Sequence, residues 1–401
     1  MSTWTIRRVG DMARLINGHP FDSHDFTPTG DVPLVRIRDI TAADFETYVP
    51  QHTVPQDKVL KDGDVVIGMD GDFNVIRWRR GAAALNQRVC ALRDTGVSDL
   101  RFLAYALPDH LKVINDLTYS TTVKHLSSGQ VTGLRITAPD RDDQGRIADY
   151  LDRETATIDA LIEKQRSLIS GLRERRSAAV EHAVSGFTTS ADETFVEGPS
   201  WVGSIPSTWR TFPLWAMYRR EKRTGFIEEP MVSVFRDFGV VFKADRANLN
   251  ETAEDRSIYQ LVEPGWFVVN RMKAWQGSVG VSSIRGISSG HYLCFRPLHG
   301  ENHKFLNWLF RSPQYRHGFA MLSRGVRPGQ AEIDNDQLRK MPVVLPPLEE
   351  QREIADHLDR ETAKIDALIA KAERFIELAQ ERRAALITAA VTGQIEIPTE
   401  D

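Results

Sequence analysis

The chain has 401 residues, 51 Lys and Arg against 55 Asp and Glu, a formal charge of −4, and only two cysteines. That length allows two or three domains with a sizeable core, while Cys90 and Cys294, lacking companion His spacing, exclude a disulfide scaffold or a zinc site and read as buried thiols. A polar start with Arg7, Arg8 and Asp11 is no signal peptide, and no apolar run approaches a bilayer span, so the expectation is a cytoplasmic protein without membrane contact.

From the N-terminus, Ser2-Thr3-Trp4 opens a segment of mixed elements. A turn at Lys61-Asp62-Gly63-Asp64 feeds an apolar strand at Val65-Val66-Ile67, and Val89-Cys90-Ala91-Leu92 reads as another buried strand. Arg101 to Tyr105 reads as a short helix and Leu134 to Ala138 as a strand. Pro139-Asp140 ahead of Asp142-Asp143 marks a helix start, where amide protons are unpaired and acids are favoured. Ile147, Leu151, Ile158, Leu161, Ile162, Leu168, Ile169 and Leu172 then recur at spacings that draw one apolar stripe. Arg173, Arg175 and Arg176 suit its later turns, and Gly186 is a natural stop.

After an acidic linker the same plan returns. Ser207-Thr208-Trp209 opens it, Gly265 precedes the strand Trp266 to Val269, and Tyr292 to Phe295 lies opposite Val89 to Leu92. Lys304 to Trp308 matches Arg101 to Tyr105, and Met341 to Leu345 leads into Pro346-Pro347 and Glu349-Glu350. A second stripe runs through Ile354, Leu358, Ile365, Leu368, Ile369, Phe375, Ile376, Leu386 and Ile387 to the stop at Gly393. Residues 147–186 match 354–393 without a gap at an offset of 207, with 23 of 40 positions identical. A gap-free repeat of helical period is one structural element used twice.

Each such helix would run roughly 60 Å, too long to bury its stripe on one small domain. Its natural partner is the other copy, in an antiparallel coiled coil; the alternative is that each packs only on its own neighbouring domain. The expected fold class is therefore α/β (α+β): two mixed α/β domains joined by two long helices, a pseudo-twofold tandem repeat. The boundaries are domain 1 at 1–139, helix 1 at 140–187, linker 188–204, domain 2 at 205–345, helix 2 at 346–395 and a tail at 396–401.

Catalytic signatures are missing. There is no GxxxxGK[ST] loop, no glycine fingerprint for a dinucleotide or S-adenosylmethionine, no Asn-Pro-Pro-aromatic box, and no metal-ligand clustering of the 11 His. The chain is expected to bind, position or bridge. Its net charge hides a split: residues 205–345 carry 20 Lys and Arg against 13 Asp and Glu, while residues 1–143 carry 17 against 19. A local basic region attracts phosphate whatever the total.

Leu345-Pro346-Pro347-Leu348-Glu349-Glu350-Gln351 running into Ile354-Ala355, the tryptophans Trp4 and Trp209, and the strands Gly63 to Ile67 and Leu85 to Val89 together resemble the specificity subunit of type I DNA restriction–modification systems. The first copy departs from the pattern, with Ala138-Pro139-Asp140 in place of Leu345-Pro346-Pro347-Leu348. The resemblance covers nearly the whole chain. It implies that each domain is a target-recognition domain reading one half of a bipartite, asymmetric site on double-stranded DNA, with the coiled coil fixing the unread spacer. It also implies a non-catalytic subunit. Two modification (methyltransferase) subunits would carry S-adenosylmethionine, and restriction (nuclease/translocase) subunits would use ATP and Mg.

Base edges are read by Arg or Lys on guanine and by Asn or Gln on adenine. The candidates in the first domain are Arg77, Trp78, Arg79, Arg80, Lys124 and His125, with Thr121 and Thr122 beside them. In the second they are Arg219, Arg220, Lys222, Arg223, Lys273, Trp275, Gln276, Arg324, Arg327 and Gln330, near Gly329. The plain alternative for each cluster is a solvated surface with local ion pairs, and for Trp78 and Trp275 a place in the core. Polar residues kept in both helix copies, Asp152, Arg153, Glu154 and Asp159 against Asp359, Arg360, Glu361 and Asp366, are the candidates for docking the modification subunits. Two other functions stay open: a coiled-coil adaptor with no DNA role, and an enzyme with an unrecognised site.

Overall fold

The computed structural model describes residues 3–117, 124–186, 194–245, 256–325 and 331–398. They form two compact units, Met1–Gln165 with Arg374–Asp401, and Arg166–Glu373. Each unit holds one globular domain and one stretch from each long helix.

The first unit is built on two four-stranded sheets. One runs in the order Arg14–Asn17, Val89–Arg93, Val65–Gly68, Val75–Arg77, antiparallel throughout. Alternate residues of its central strand serve two cores, as the pleat dictates. Val65 and Ile67 pack with Phe102 and Leu103 of the helix Leu100–Leu117, whereas Val66 packs with Trp78 and Leu85 toward the second sheet. That sheet runs Tyr48–Val49, Val32–Val35, Ala83–Leu85, Val59–Leu60, with one parallel pairing between Val32–Val35 and Ala83–Leu85. Thr5–Arg8 pairs antiparallel with Arg135–Ala138, the strand that leads into the first long helix.

The second unit repeats the plan. Its four-stranded sheet is ordered Tyr218–Arg220, Tyr292–Pro297, Phe267–Asn270, Val279–Val281, again antiparallel. Arg210–Pro213 pairs with Pro342–Leu345 as Thr5–Arg8 does with Arg135–Ala138. Gln260–Val262 pairs antiparallel with Gly286–Ser288, and a parallel bridge joins Met231 to Ile287. The expected short helix at Arg101 to Tyr105 differs between the units. In the first it continues through Pro108 to Leu117, held by the buried face of Leu103, Ala106, Leu107 and Leu111. In the second it splits into His303–Arg311 and Pro313–Met321, where Ser312 caps the second piece by accepting from Tyr315 N. Cys90 and Cys294 lie buried in matching strands, and burial pushes their thiols up to about 12 and about 11.

The long helices, Arg141–Val184 and Leu348–Val391, have 44 residues each. Asp140 accepts a hydrogen bond from Asp143 N at 2.9 Å, so the degenerate first start is capped by a carboxylate. Gly186 and Gly393 stand at φ +77° and +72°, the left-handed stop foreseen for both. In the first unit Ala390 and Val391 join the core that holds Ile147 and Leu151, and a Cβ on Gly393 would lie 2.8 Å from the Trp4 indole. In the second unit Val180, Ala183 and Val184 join Ile354, Ala355 and Leu358, and a Cβ on Gly186 would lie 2.3 Å from Pro206 and 3.2 Å from Trp209. Each domain-opening tryptophan thus packs on the stop glycine of the long helix that does not follow it.

The helices pair antiparallel. In the second unit Arg173 reaches Glu373 at 3.1 Å and Arg176 reaches Asp366 at 2.9 Å, so partners descend as the first helix ascends. In the first unit Arg383 reaches Asp159 at 2.9 Å. Moved by 207 residues, Asp159 and Arg383 become Asp366 and Arg176: one ion pair is made twice. Part of the expected stripe is not covered. Leu161, Leu168, Leu368 and Phe375 are 42%, 49%, 52% and 41% exposed, because two-helix pairing buries a narrow seam and these residues lie at its margin.

Candidate nucleic-acid interface

In each unit the domain is fixed to its long helix by a buried amide and a shared carboxylate. Gln144 and Gln351 are wholly buried. Gln144 accepts from Asp99 N at 3.0 Å and Gln351 from Asn302 N at 2.9 Å, while their amide nitrogens donate to the carbonyls of Pro139 and Pro346, both at 2.9 Å. One helical turn or two further on, Asp152 accepts from Tyr105 Oη at 2.7 Å, and Asp359 from Trp308 Nε1 at 2.8 Å and Lys304 Nζ at 2.9 Å. Burial, then the Asp152 carboxylate, raises the Tyr105 phenol, which keeps it a donor; the bond to Asp359 raises Lys304.

The first basic cluster turns toward this seat. Arg77 reaches Asp152 at 3.3 Å and Arg79 reaches it at 3.9 Å. Arg80 donates to Asp39 O at 2.9 Å and lies 3.8 Å over the Phe45 ring. Trp78 is wholly buried, its Nε1 donating to Gly81 O at 2.6 Å, so the candidate contact at Trp78 is corrected to a core residue: its indole fills the space between the two sheets. Of the four side chains only Arg79 is largely exposed.

Lys124 and His125 belong to a different place, the turn that follows the central strand Val65–Gly68. Gly71 N donates to Lys124 O at 3.1 Å, Asn115 Nδ2 donates to Gly71 O, and Lys124 Nζ donates to Asn115 O at 2.6 Å. His125 Nδ1 lies 2.6 Å from Asp70, whose other oxygen is 3.6 Å from Arg88. The matching turn of the second unit collects Lys273, Trp275 and Gln276. Lys273 and Gln276 are exposed, and Trp275 is half-buried with Nε1 donating to Met272 O at 3.1 Å. Arg324, largely exposed, is 3.7 Å from Asp334. Arg327 and Gln330, like Thr121, Thr122 and Gly329, lie outside the described residues.

Arg219 and Arg220 stand exposed on the edge strand Tyr218–Arg220, with Lys222 exposed just beyond. Arg223 is tied to Glu263 at 3.1 Å and lies 5.3 Å from the Phe226 ring centre. Among the docking candidates, Asp152, Asp159, Asp359 and Asp366 make the intrachain contacts already given, so both acidic positions kept in the two helices serve the fold. Glu361 holds Lys364 at 2.7 Å, Arg153 and Arg360 are exposed, and Glu154 is half-buried. Among the described residues no group of His, Cys, Asp or Glu is placed to hold a metal, and no helix is long and apolar enough to cross a membrane.

The fold agrees with the comparisons to known proteins. The family model described as type I restriction modification DNA specificity domain matches residues 1–169 and 252–377. The chain belongs to this family. Both matched stretches run from a domain into its long helix. The type I restriction enzyme EcoBI specificity subunit of Escherichia coli is 34% identical over 213 residues, 52% of this chain and 45% of that protein, so the match spans less than half of that relative. A solved structure described as "Structural basis underlying complex assembly and conformational transition of the type I R-M system" superposes with a TM-score of 0.64 at 17% identity over 98% of each chain, a likeness of fold.

Sequence reasoning missed Tyr105, Trp308, Gln144 and Gln351 as the residues that seat the domains. One signal was available. Gln144 and Gln351 recur at the same offset of 207, three residues before Ile147 and Ile354.

Proposed function

We propose that this chain is the specificity subunit of a type I restriction–modification complex and carries no catalysis of its own. Each unit reads one half of a bipartite, asymmetric site on double-stranded DNA. The chain scaffolds two methyltransferase subunits that bring S-adenosylmethionine, and a restriction subunit using ATP and Mg completes the complex. Its working place is the cytoplasm, where that DNA is met. The observation that carries this reading is that one family domain is built twice, on a four-stranded antiparallel sheet of matching order and a matching seat on a long helix, while the charged side chains outside the seat differ. Matching seats hold two copies of one scaffold; different outer surfaces suit two different half-sites. The matched family is a DNA specificity domain, which favours this reading over an adaptor with no DNA role.

The test is co-expression with a cognate methyltransferase subunit and mapping of methylated adenine across the host genome. A two-part motif that appears only with this chain is the expected result. A stable complex that adds no methylation would count against it.

A further inference from the structure

We infer that each unit reads its half-site through the turn after the central strand Val65–Gly68 or Phe267–Asn270, with Asp72 and Asn74 in the first unit and Lys273 and Gln276 in the second contacting base edges. The inference rests on the specificity-subunit reading and assigns its reading residues. The two turns occupy one place in the shared fold. Met69 N donates to Arg88 O at 3.0 Å and accepts Leu126 N on its carbonyl at 2.7 Å; Arg271 N donates to His291 O at 3.0 Å and accepts Ile333 N at 3.1 Å. On this common frame the side chains are chemically different, as two readers of different sequences must be.

Both turns are also held rigidly. Phe73 has φ +51°, the one positive φ at a non-glycine among the described residues, and its ring is buried against the helix Leu100–Leu117. A bulky residue keeps that conformation only where packing dictates it. The buried ring directs its neighbours Asp72 and Asn74 to the surface, where both are exposed. A cavity of about 410 Å³ opens there, with Asp72 and Asn74 on one side and Lys112 and Asn115 on the other. In the second unit, buried Ala274 and Gly277 at φ +89° fix the turn that exposes Lys273 and Gln276.

Engagement elsewhere separates these four residues from the arginine cluster. Among the described residues none of the four makes a side-chain hydrogen bond or ion pair, whereas Arg77 and Arg79 face Asp152 and Arg80 is held by Asp39 O and Phe45. Donor and acceptor chemistry then assigns the bases. A carboxylate only accepts, which suits the cytosine amino group, and an ammonium only donates, which suits guanine O6 and N7. The carboxamides of Asn74 and Gln276 suit adenine. Arg88, exposed and 3.6 Å from Asp70, is the cation beside the first turn that is placed for a phosphate contact.

The test is the methylated motif of the full complex carrying Asp72→Ala, Asn74→Ala, Lys273→Ala or Gln276→Ala, one at a time. Each should lower discrimination roughly ten- to a hundredfold at one base pair of one half-site, leaving the other half as in wild type. The first two variants should act on one half and the last two on the other. Affinity for nonspecific duplex, measured on the purified complexes, should stay within about twofold for Asn74→Ala and Gln276→Ala, since neither removes a charge. A wild-type two-part motif left unaltered by all four variants overturns this assignment alone. Loss of methylation together with nonspecific binding overturns it too, because the residues would then be holding the fold. No motif from wild type overturns the parent reading, and this one with it.

Discussion

The seat of each domain on its long helix and the turn after its central strand teach opposite lessons about one duplicated chain. At the seat the chemistry is kept: Gln144 and Gln351 make the same two hydrogen bonds, and Asp152 and Asp359 each receive an aromatic donor and a cation, although Tyr105 has become Trp308 and Arg101 has become Lys304. At the turn the backbone frame is kept and the side chains are not, with an acid and an amide in the first unit against a base and an amide in the second. A buried polar contact tolerates only substitutions that preserve donor and acceptor, because an orphaned buried group is expensive. An exposed side chain on a fixed backbone is free to change. Where a duplicated protein has stayed the same it is being held together, and where it has changed it is free to meet different partners.

That contrast can be broken most forcefully at the seat. Replacing Trp209 by Ala removes an indole packed on Gly186 and Phe305 and should destabilise the second unit by about 3–5 kcal/mol, read by denaturant unfolding of the full chain. A loss under about 1 kcal/mol would mean that the helix stop is not a packing contact. Gln144→Ala and Gln351→Ala each strand a buried prolyl carbonyl and should cost about 1–3 kcal/mol, by nearly equal amounts. Unequal losses would show that the two seats are equivalent in geometry only.

Smaller effects sharpen the comparison. Burial, then the neighbouring His303, lowers the His299 imidazole to about 4. Its folded value lies below its unfolded value of about 6.5, so the unfolded chain binds the extra proton between them. Stability of the second unit should be intact above about pH 6.5 and fall as pH drops toward 4. With His299 partly exposed the loss should reach about 1–2 kcal/mol. His299→Gln should flatten that slope, and an unchanged slope would assign it to other groups. The least effect belongs to the repeated helix ion pair. Arg176 and Asp366 are 27% and 53% exposed, so a double-mutant cycle should give a coupling of at most about 1 kcal/mol, fading in salt. The same cycle on Arg383 and Asp159 should match it.

Much of the scaffold was legible beforehand. The strands at Val65 to Ile67 and Val89 to Leu92, the stops at Gly186 and Gly393 and the pairing of two long helices all rest on periodicity or on glycine conformation, which are local properties. The candidate interface was legible only as a set of residues. Arg77, Trp78, Arg79 and Arg80 form one run in sequence, yet the structure sends one indole into the core, one guanidinium onto an aromatic ring and two toward a carboxylate 75 residues away in the case of Arg77. Lys124 and His125 looked like a separate cluster until their contacts with Asn115 and Asp70 joined them to the turn at Gly71.

By itself the sequence determined that this protein is a tandem repeat of a mixed domain and a long helix, because duplication and helical period are written in the order of residues. Only the tertiary structure decided which charges are engaged within the chain and which stand unengaged on its surface. A charged side chain takes its partner from whatever the fold brings within about 4 Å, and that neighbour is set by packing between segments far apart in the chain.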